Sequence, residues 1–206
     1  MQHRIFIGIN LPENFREKLS DYQEKIEELF TPYRAEGSGS GPVRWTKREN
    51  LHITLLFIGS VVDQDIPEIC RISREVASHH PVFGLNLTKI SYGPPKKMPP
   101  RMIWAAGQES EELGKLQKDL ESSLFTSPFE TLSESGIRLL APHITLGRIR
   151  QWDFQRIEPD ERPEVEEDVS FSFEVSSIEV MESRLKRGGP EYTILESAPL
   201  ADSKNF

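Results

Sequence analysis

The chain has 206 residues, a formal net charge of −8 and 36% hydrophobic residues; a chain of this length buries roughly 70% of its unfolded surface as one domain or two small lobes. No run approaches the roughly 20 apolar residues of a spanning helix, which excludes a helical membrane protein, and 3 Trp, 4 Tyr and 11 Phe argue against disorder. The single thiol, Cys70, excludes a disulfide framework or a four-cysteine zinc site and fits a reducing cytoplasm.

The opening MQHRIFIGIN has no basic region, long apolar run or cleavage site, so no signal peptide is expected. Residues 3–9 (HRIFIGI) predict a strand. Leu11-Pro12 then opens a helix whose Phe15, Leu19, Tyr22, Ile26 and Leu29 form one apolar stripe. Residues 36–42 (EGSGSGP) predict a surface loop. Residues 51–58 (LHITLLFI) predict a buried strand that Gly59 ends, and 65–78 a helix with Ile66, Ile69, Ile72 and Val76 inward. A strand over 82–92 precedes GPPKKMPPR (93–101), too rich in proline for regular structure. Residues 101–107 resume as a strand, and 110–125 form a helix capped by Ser110, with Leu113, Leu116, Leu120 and Leu124 as its stripe. Residues 143–149 predict a strand, 156–168 an acidic loop, 169–182 one or two strands and 191–196 a last strand. The mixture is α+β, with strands too often adjacent for a pure βαβ sheet.

The negative charge is uneven. Residues 156–168 carry a net of −5 and residues 12–30 a net of −3, which leaves the rest near zero. That remainder holds basic clusters: Arg44, Lys47 and Arg48; Lys96, Lys97 and Arg101; Arg148 and Arg150; Arg184, Lys186 and Arg187. Such a chain does not coat nucleic acid generally, yet it can carry a local anion site.

One tetrapeptide occurs twice, as His52-Ile53-Thr54-Leu55 and His143-Ile144-Thr145-Leu146. Two copies suggest a duplicated lobe and not a solenoid. Side chains alternate along a strand, so the His and Thr of each copy share one face, roughly 6.6 Å apart along the chain. The intervening Ile and the following Leu point into a core. If a pseudo-twofold axis relates the lobes, two His and two Thr converge on one cavity. That set suits phosphate chemistry: a neutral imidazole takes a proton from water, an imidazolium gives one to the leaving oxygen, and hydroxyls hold the non-bridging oxygens. Arg148 is the nearest cation in sequence. It stands an odd step from Thr145, so strict alternation turns it away, whereas a bulge at Gly147 brings it back. Neither motif contains Asp, Glu or Cys, so no metal site is expected. GxSxG, Walker A and Rossmann signatures are missing too.

Together with RIFIGINLP, VRWTKRENLHITLLFIG, RMIWAAG and PHITLGRIR, the paired motifs resemble the 2H phosphoesterase superfamily. More narrowly they resemble the bacterial and archaeal RNA 2′,3′-cyclic phosphodiesterases, historically called 2′-5′ RNA ligases. The resemblance implies an α+β fold of two pseudo-symmetric lobes, with antiparallel sheets flanked by helices around a central cleft. It implies a single bilobal domain over residues 1–206, with one motif per lobe (52–55 and 143–146). It further implies metal-independent hydrolysis, without a cofactor, of RNA terminal 2′,3′-cyclic phosphate to a 2′-phosphomonoester. His52 is then the proton donor to the 3′ oxygen and His143 the base, with Thr54, Thr145 and Arg148 on the phosphate. The expected partners are RNA ends or nucleotides bearing 2′,3′-cyclic phosphate, with no membrane and no obligate protein partner, for a cytoplasmic monomer. The loops at 36–42 and 156–168 depart from the family pattern.

Arg101 is a further candidate for the RNA backbone. Of the tryptophans, Trp45 is favoured over Trp104 for stacking on an unpaired base, because Trp104 sits in an apolar strand. His3, His79 and His80 receive no catalytic role. The competing functions are another 2H activity, on small cyclic nucleotides or 2′-5′ linked RNA, including ligation, and a non-catalytic RNA-end-binding module.

Overall fold

The computed structural model describes residues 1–34, 41–95, 98–125 and 141–202. Most of the loop expected at 36–42 and the basic pair Lys96 and Lys97 lie outside the described residues. The elements are β1 (Gln2–Asn10), α1 (Glu13–Leu29), β2 (Val43–Trp45), β3 (His52–Val62), α2 (Ile66–Ala77), β4 (Phe83–Gly93), β5 (Met102–Gly107), α3 (Glu111–Phe125), β6 (His143–Ile149), α4 (Gln151–Gln155), β7 (Glu166–Val175), β8 (Ser177–Lys186) and β9 (Gly189–Pro199).

Their strands join in the order β7-β4-β5-β6-β3-β1-β8-β9, and the short β2 pairs separately with β6. All the named pairings are antiparallel. The two motif strands, β3 and β6, are therefore neighbours at the centre, each continued outward by three more strands. The expected α+β class with antiparallel sheets flanked by helices is what the chain forms.

Each half repeats the order strand, helix, motif strand: β1-α1-β3 and β5-α3-β6. The helices cross over, α1 packing against β6 and α3 against β3. The α3 stripe of Leu113, Leu116, Leu120 and Leu124 is fully buried, and the Ser110 hydroxyl accepts the Leu113 N–H at 3.2 Å as its N-cap. Phe15 of α1 packs on Phe171 and Phe173 of β7 at ring-centroid distances of 5.2 and 4.9 Å. The buried face of α1 departs from the expected stripe at two positions. Leu29 is exposed, because the chain leaves the helix there and Phe30 fills the core, whereas Gln23 is buried.

Other boundaries also move. Gly59 does not end β3; it takes φ +93° opposite Ile5, and the strand continues to Val62. The segment 169–182 divides into β7 and β8. The acidic stretch is only partly a loop, since Glu166, Glu167 and Asp168 already belong to β7. As an outer strand, β7 gains from its charges, which discourage edge-to-edge pairing; Glu167 receives Lys25 at 2.9 Å and Glu166 receives Lys89. No described helix is long and apolar enough to cross a membrane.

Candidate active site

The motif strands meet at one ladder pair, Ile53 opposite Ile144. In an antiparallel register, one step either way from that pair sets His52 on the side of Thr145 and Thr54 on the side of His143. Both isoleucines are essentially fully buried, whereas both His and both Thr are half-buried on the other side of the sheet. The alternation read from the sequence thus brings all four polar side chains to one cleft face.

Each imidazole is held from behind by the main chain two residues upstream. His52 Nδ1–H donates to the Asn50 carbonyl at 2.7 Å, and His143 Nδ1–H to the Ala141 carbonyl at 3.3 Å. With Nδ1 occupied, the neutral ring presents an Nε2 lone pair to the cleft. The Thr54 hydroxyl donates to His52 Nε2 at 3.0 Å. Asn50 is itself buried and donates through Nδ2 to the Pro190 carbonyl at 2.7 Å, tying the start of β9 to the His52 anchor.

The ring environments differ. His52 lies against Phe6 (5.0 Å) and edge-on to Tyr192 (5.1 Å, 84°). His143 is stacked on Trp104 at 4.1 Å and 30°. The Trp104 indole N–H donates to Met102 Sδ at 3.2 Å, and its ring passes over Gly93, where a Cβ atom would lie 2.3 Å from it. Burial pushes both histidines below the ordinary 6.5. For His52 the positive charges of Arg148 and of a protonated His143 push the same way, as two cations sharing a cavity must. Burial also raises the Tyr192 phenol, against the opposing pull of Arg148 and Arg4.

A bulge decides the direction of Arg148. In the β5–β6 ladder Trp104 pairs with Thr145 and Ile103 with Gly147, so Leu146 has no partner. Leu146 and Gly147 are both buried, and Arg148 emerges on the cleft side, opposite Met102. A matching bulge follows the first motif: Gly8 pairs with Thr54 and Ile7 with Leu56, and Leu55 is skipped. The position equivalent to Arg148 is Phe57, opposite Phe6 and 67% exposed. One flank of the cleft is therefore cationic and the other aromatic.

The structure gathers His52, Thr54, His143, Thr145 and Arg148. It does not bring Arg101 to them: this residue is exposed before β5, its main chain bonded to Gly93 and Ile149, and its neighbour Met102 takes the cleft direction. The tryptophans exchange their expected places. Trp45 packs against the core beside Gly147, and Trp104 lies on a catalytic candidate. His3, without an evident partner in sequence, bonds Glu182 at 2.6 Å and Asp63 at 2.7 Å. Phe6, Phe57, Tyr192 and Arg44 were not singled out as site residues by sequence; Tyr192 carried a signal, as the aromatic member of an alternating terminal strand. Among the described residues no group of three His, Cys, Asp or Glu side chains is placed to hold a metal ion.

A family model described as LigT like Phosphoesterase matches residues 9–104. The RNA 2′,3′-cyclic phosphodiesterase of Thermus thermophilus is 30% identical over 205 residues, covering 96% of this chain and 90% of that protein. The protein of the same name from Thermotoga maritima is 28% identical over 195 residues, 93% and 92% of the two chains. In fold, a crystal structure of a Thermus thermophilus protein aligns with TM-score 0.77 at 24% identity, covering 97% of this chain and 99% of its own. Escherichia coli LigT complexed with phosphate aligns with TM-score 0.69 at 24% identity, covering 97% and 98%.

Proposed function

Because the chain belongs to the LigT-like phosphoesterase family, we propose that it hydrolyses the 2′,3′-cyclic phosphate at an RNA end to a 2′-phosphomonoester, using its two histidines and no metal. The observation that carries this reading is the pair of imidazoles on one face, each with Nδ1 tied to a carbonyl and Nε2 facing the cleft. Residues 1–206 act as one bilobal unit, each lobe supplying one motif.

In-line hydrolysis needs a base for water on one side of phosphorus and an acid for the leaving oxygen on the other. Two histidines related by a central pair meet that need. His143, on the more open side, takes the water proton. His52, enclosed by Phe6 and Tyr192, gives its proton to the departing 3′ oxygen. Thr54 and Thr145 donate to the non-bridging oxygens, and Arg148 offsets the charge that develops there. The names of the relatives support the substrate class.

The test is an end-group assay. A short RNA ending in 2′,3′-cyclic phosphate is incubated in EDTA with the wild type, His52→Ala and His143→Ala, and the ends are resolved by chromatography. The wild type is expected to yield 2′-phosphate ends and the variants none. A 3′-phosphate product, activity abolished by EDTA, or full activity in both variants overturns the reading.

A further inference from the structure

Arg44 is not accounted for by this chemistry. It pairs directly with Arg148 across the β2–β6 ladder, so both guanidinium groups leave the same face of the sheet, and both are exposed. Like charges directly opposite one another disfavour a ladder. Several other cations of this acidic chain are matched to carboxylates, among them Arg48 to Glu13 and Glu17, Arg184 to Glu182 and Lys186 to Glu191. Among the described residues neither Arg44 nor Arg148 has such a partner. The pair is left positive beside a site that handles an anion.

The surroundings keep room for Arg44. Beyond the Ile53–Ile144 pair β3 leaves β6, and β2 takes over that edge of the strand. There the tip of the β8–β9 hairpin reaches across from the other half. Gly189, at φ +117°, lies so close that a Cβ atom would sit 2.8 Å from Arg44 Nη2. One residue further on, the Pro190 carbonyl is bonded to Asn50, the anchor of His52, and β9 then carries Tyr192 on the cleft face. Arg44 thus stands at the mouth of the cleft, one strand beyond Arg148.

We propose that Arg44 forms a second phosphate subsite, which binds the phosphodiester on the 5′ side of the terminal nucleotide. The substrate is then an RNA strand, in preference to a free cyclic mononucleotide. The proposal rests on the phosphodiesterase reading, with Arg148 on the terminal phosphate and Arg44 on the next one. Lys47, whose Nζ would lie 4.0 Å from a Cβ at Gly188, stands nearby but is paired with Glu49 at 3.8 Å, so the unmatched charge is that of Arg44 and Arg148.

Two inert probes test it by calorimetry at several salt concentrations: a nucleoside 2′-monophosphate, and a dinucleotide with the same 2′-phosphate end and a 5′ hydroxyl. They differ by one nucleoside and one phosphodiester. The wild type is expected to bind the dinucleotide about tenfold tighter, with a salt slope steeper by about 0.7, the value for one phosphate contact on a single strand. Arg44→Gln removes both differences, and Arg44→Lys restores most of the slope. Equal binding of the probes by the wild type overturns the proposal. So does an undiminished difference in Arg44→Gln, or an equal loss on both probes, which assigns Arg44 to the terminal phosphate. Binding is read without turnover, so failure of the end-group assay counts against the phosphodiesterase reading alone.

Discussion

Leu55 and Leu146, the last residues of the two motifs, are the bulge residues skipped in the β1–β3 and β5–β6 ladders, and each gives its carbonyl to a glutamine from a helix of the other half. Gln117 of α3 donates to Leu55 at 3.0 Å, and Gln23 of α1 to Leu146 at 2.7 Å. Gln23 also donates to the Thr46 carbonyl at 2.8 Å, closing the gap where β2 replaces β3 beside β6. The bulges point Phe57 and Arg148 at the cleft, so these glutamines hold the two flanks in register.

Replacing Gln23 by Leu leaves the part-buried Thr46 carbonyl without that donor and takes one of two donors from the Leu146 carbonyl, which keeps the Thr46 N–H at 2.8 Å. The expected cost is about 1–3 kcal/mol, read from the denaturant midpoint, with a raised KM as Arg148 loses its fixed direction. Gln117→Leu costs less, because that side chain is only partly buried. An unchanged midpoint for Gln23→Leu counts against this account of the bulge.

Either His→Ala variant should lower kcat by about 10²- to 10⁴-fold, with little further loss in the double variant, since the two act as one unit. The pH profile of kcat/KM reports the free enzyme. It should be bell-shaped with its optimum on the acid side of 6.5, because both imidazoles are held below that value. Arg148 contributes to the depression of His52, so Arg148→Gln should raise the His52 pKa and leave that of His143 in place. Histidine NMR titration distinguishes the two.

Trp104 covers His143, and Gly93 makes space for the indole. Gly93→Ala should displace the ring at a cost of about 1–3 kcal/mol. It should also reproduce, on the His143 ring resonances, the change seen in Trp104→Leu. Unaltered His143 shifts in both variants are incompatible with the stack.

His3 provides a stability test of opposite sign to the two motif histidines. Its bonds to Glu182 and then Asp63 raise its pKa above 6.5. Its stabilisation is therefore complete below pH 6.5 and lost as pH rises through the raised folded value. The lowered His52 and His143 do the reverse, penalising the fold as pH falls below 6.5. The Tm difference between wild type and His3→Gln should shrink with increasing pH; a constant difference excludes the linkage.

Local pattern in the chain suffices for most of the elements and for the faces that the two motifs present. Periodicity of 3.6 set the buried leucines of α3, and alternation of 2 set His and Thr against Ile, because these patterns follow from local backbone geometry. Local pattern leaves Arg148 undecided, since alternation holds only while a ladder is regular, and the bulge at Leu146 is fixed by β5 and by Gln23, both remote in sequence. The exchange between Trp45 and Trp104, the partners of His3 and the meeting of Arg44 with Arg148 have the same origin. Each depends on which strands become neighbours, and that is settled by the burial of residues far apart in the chain.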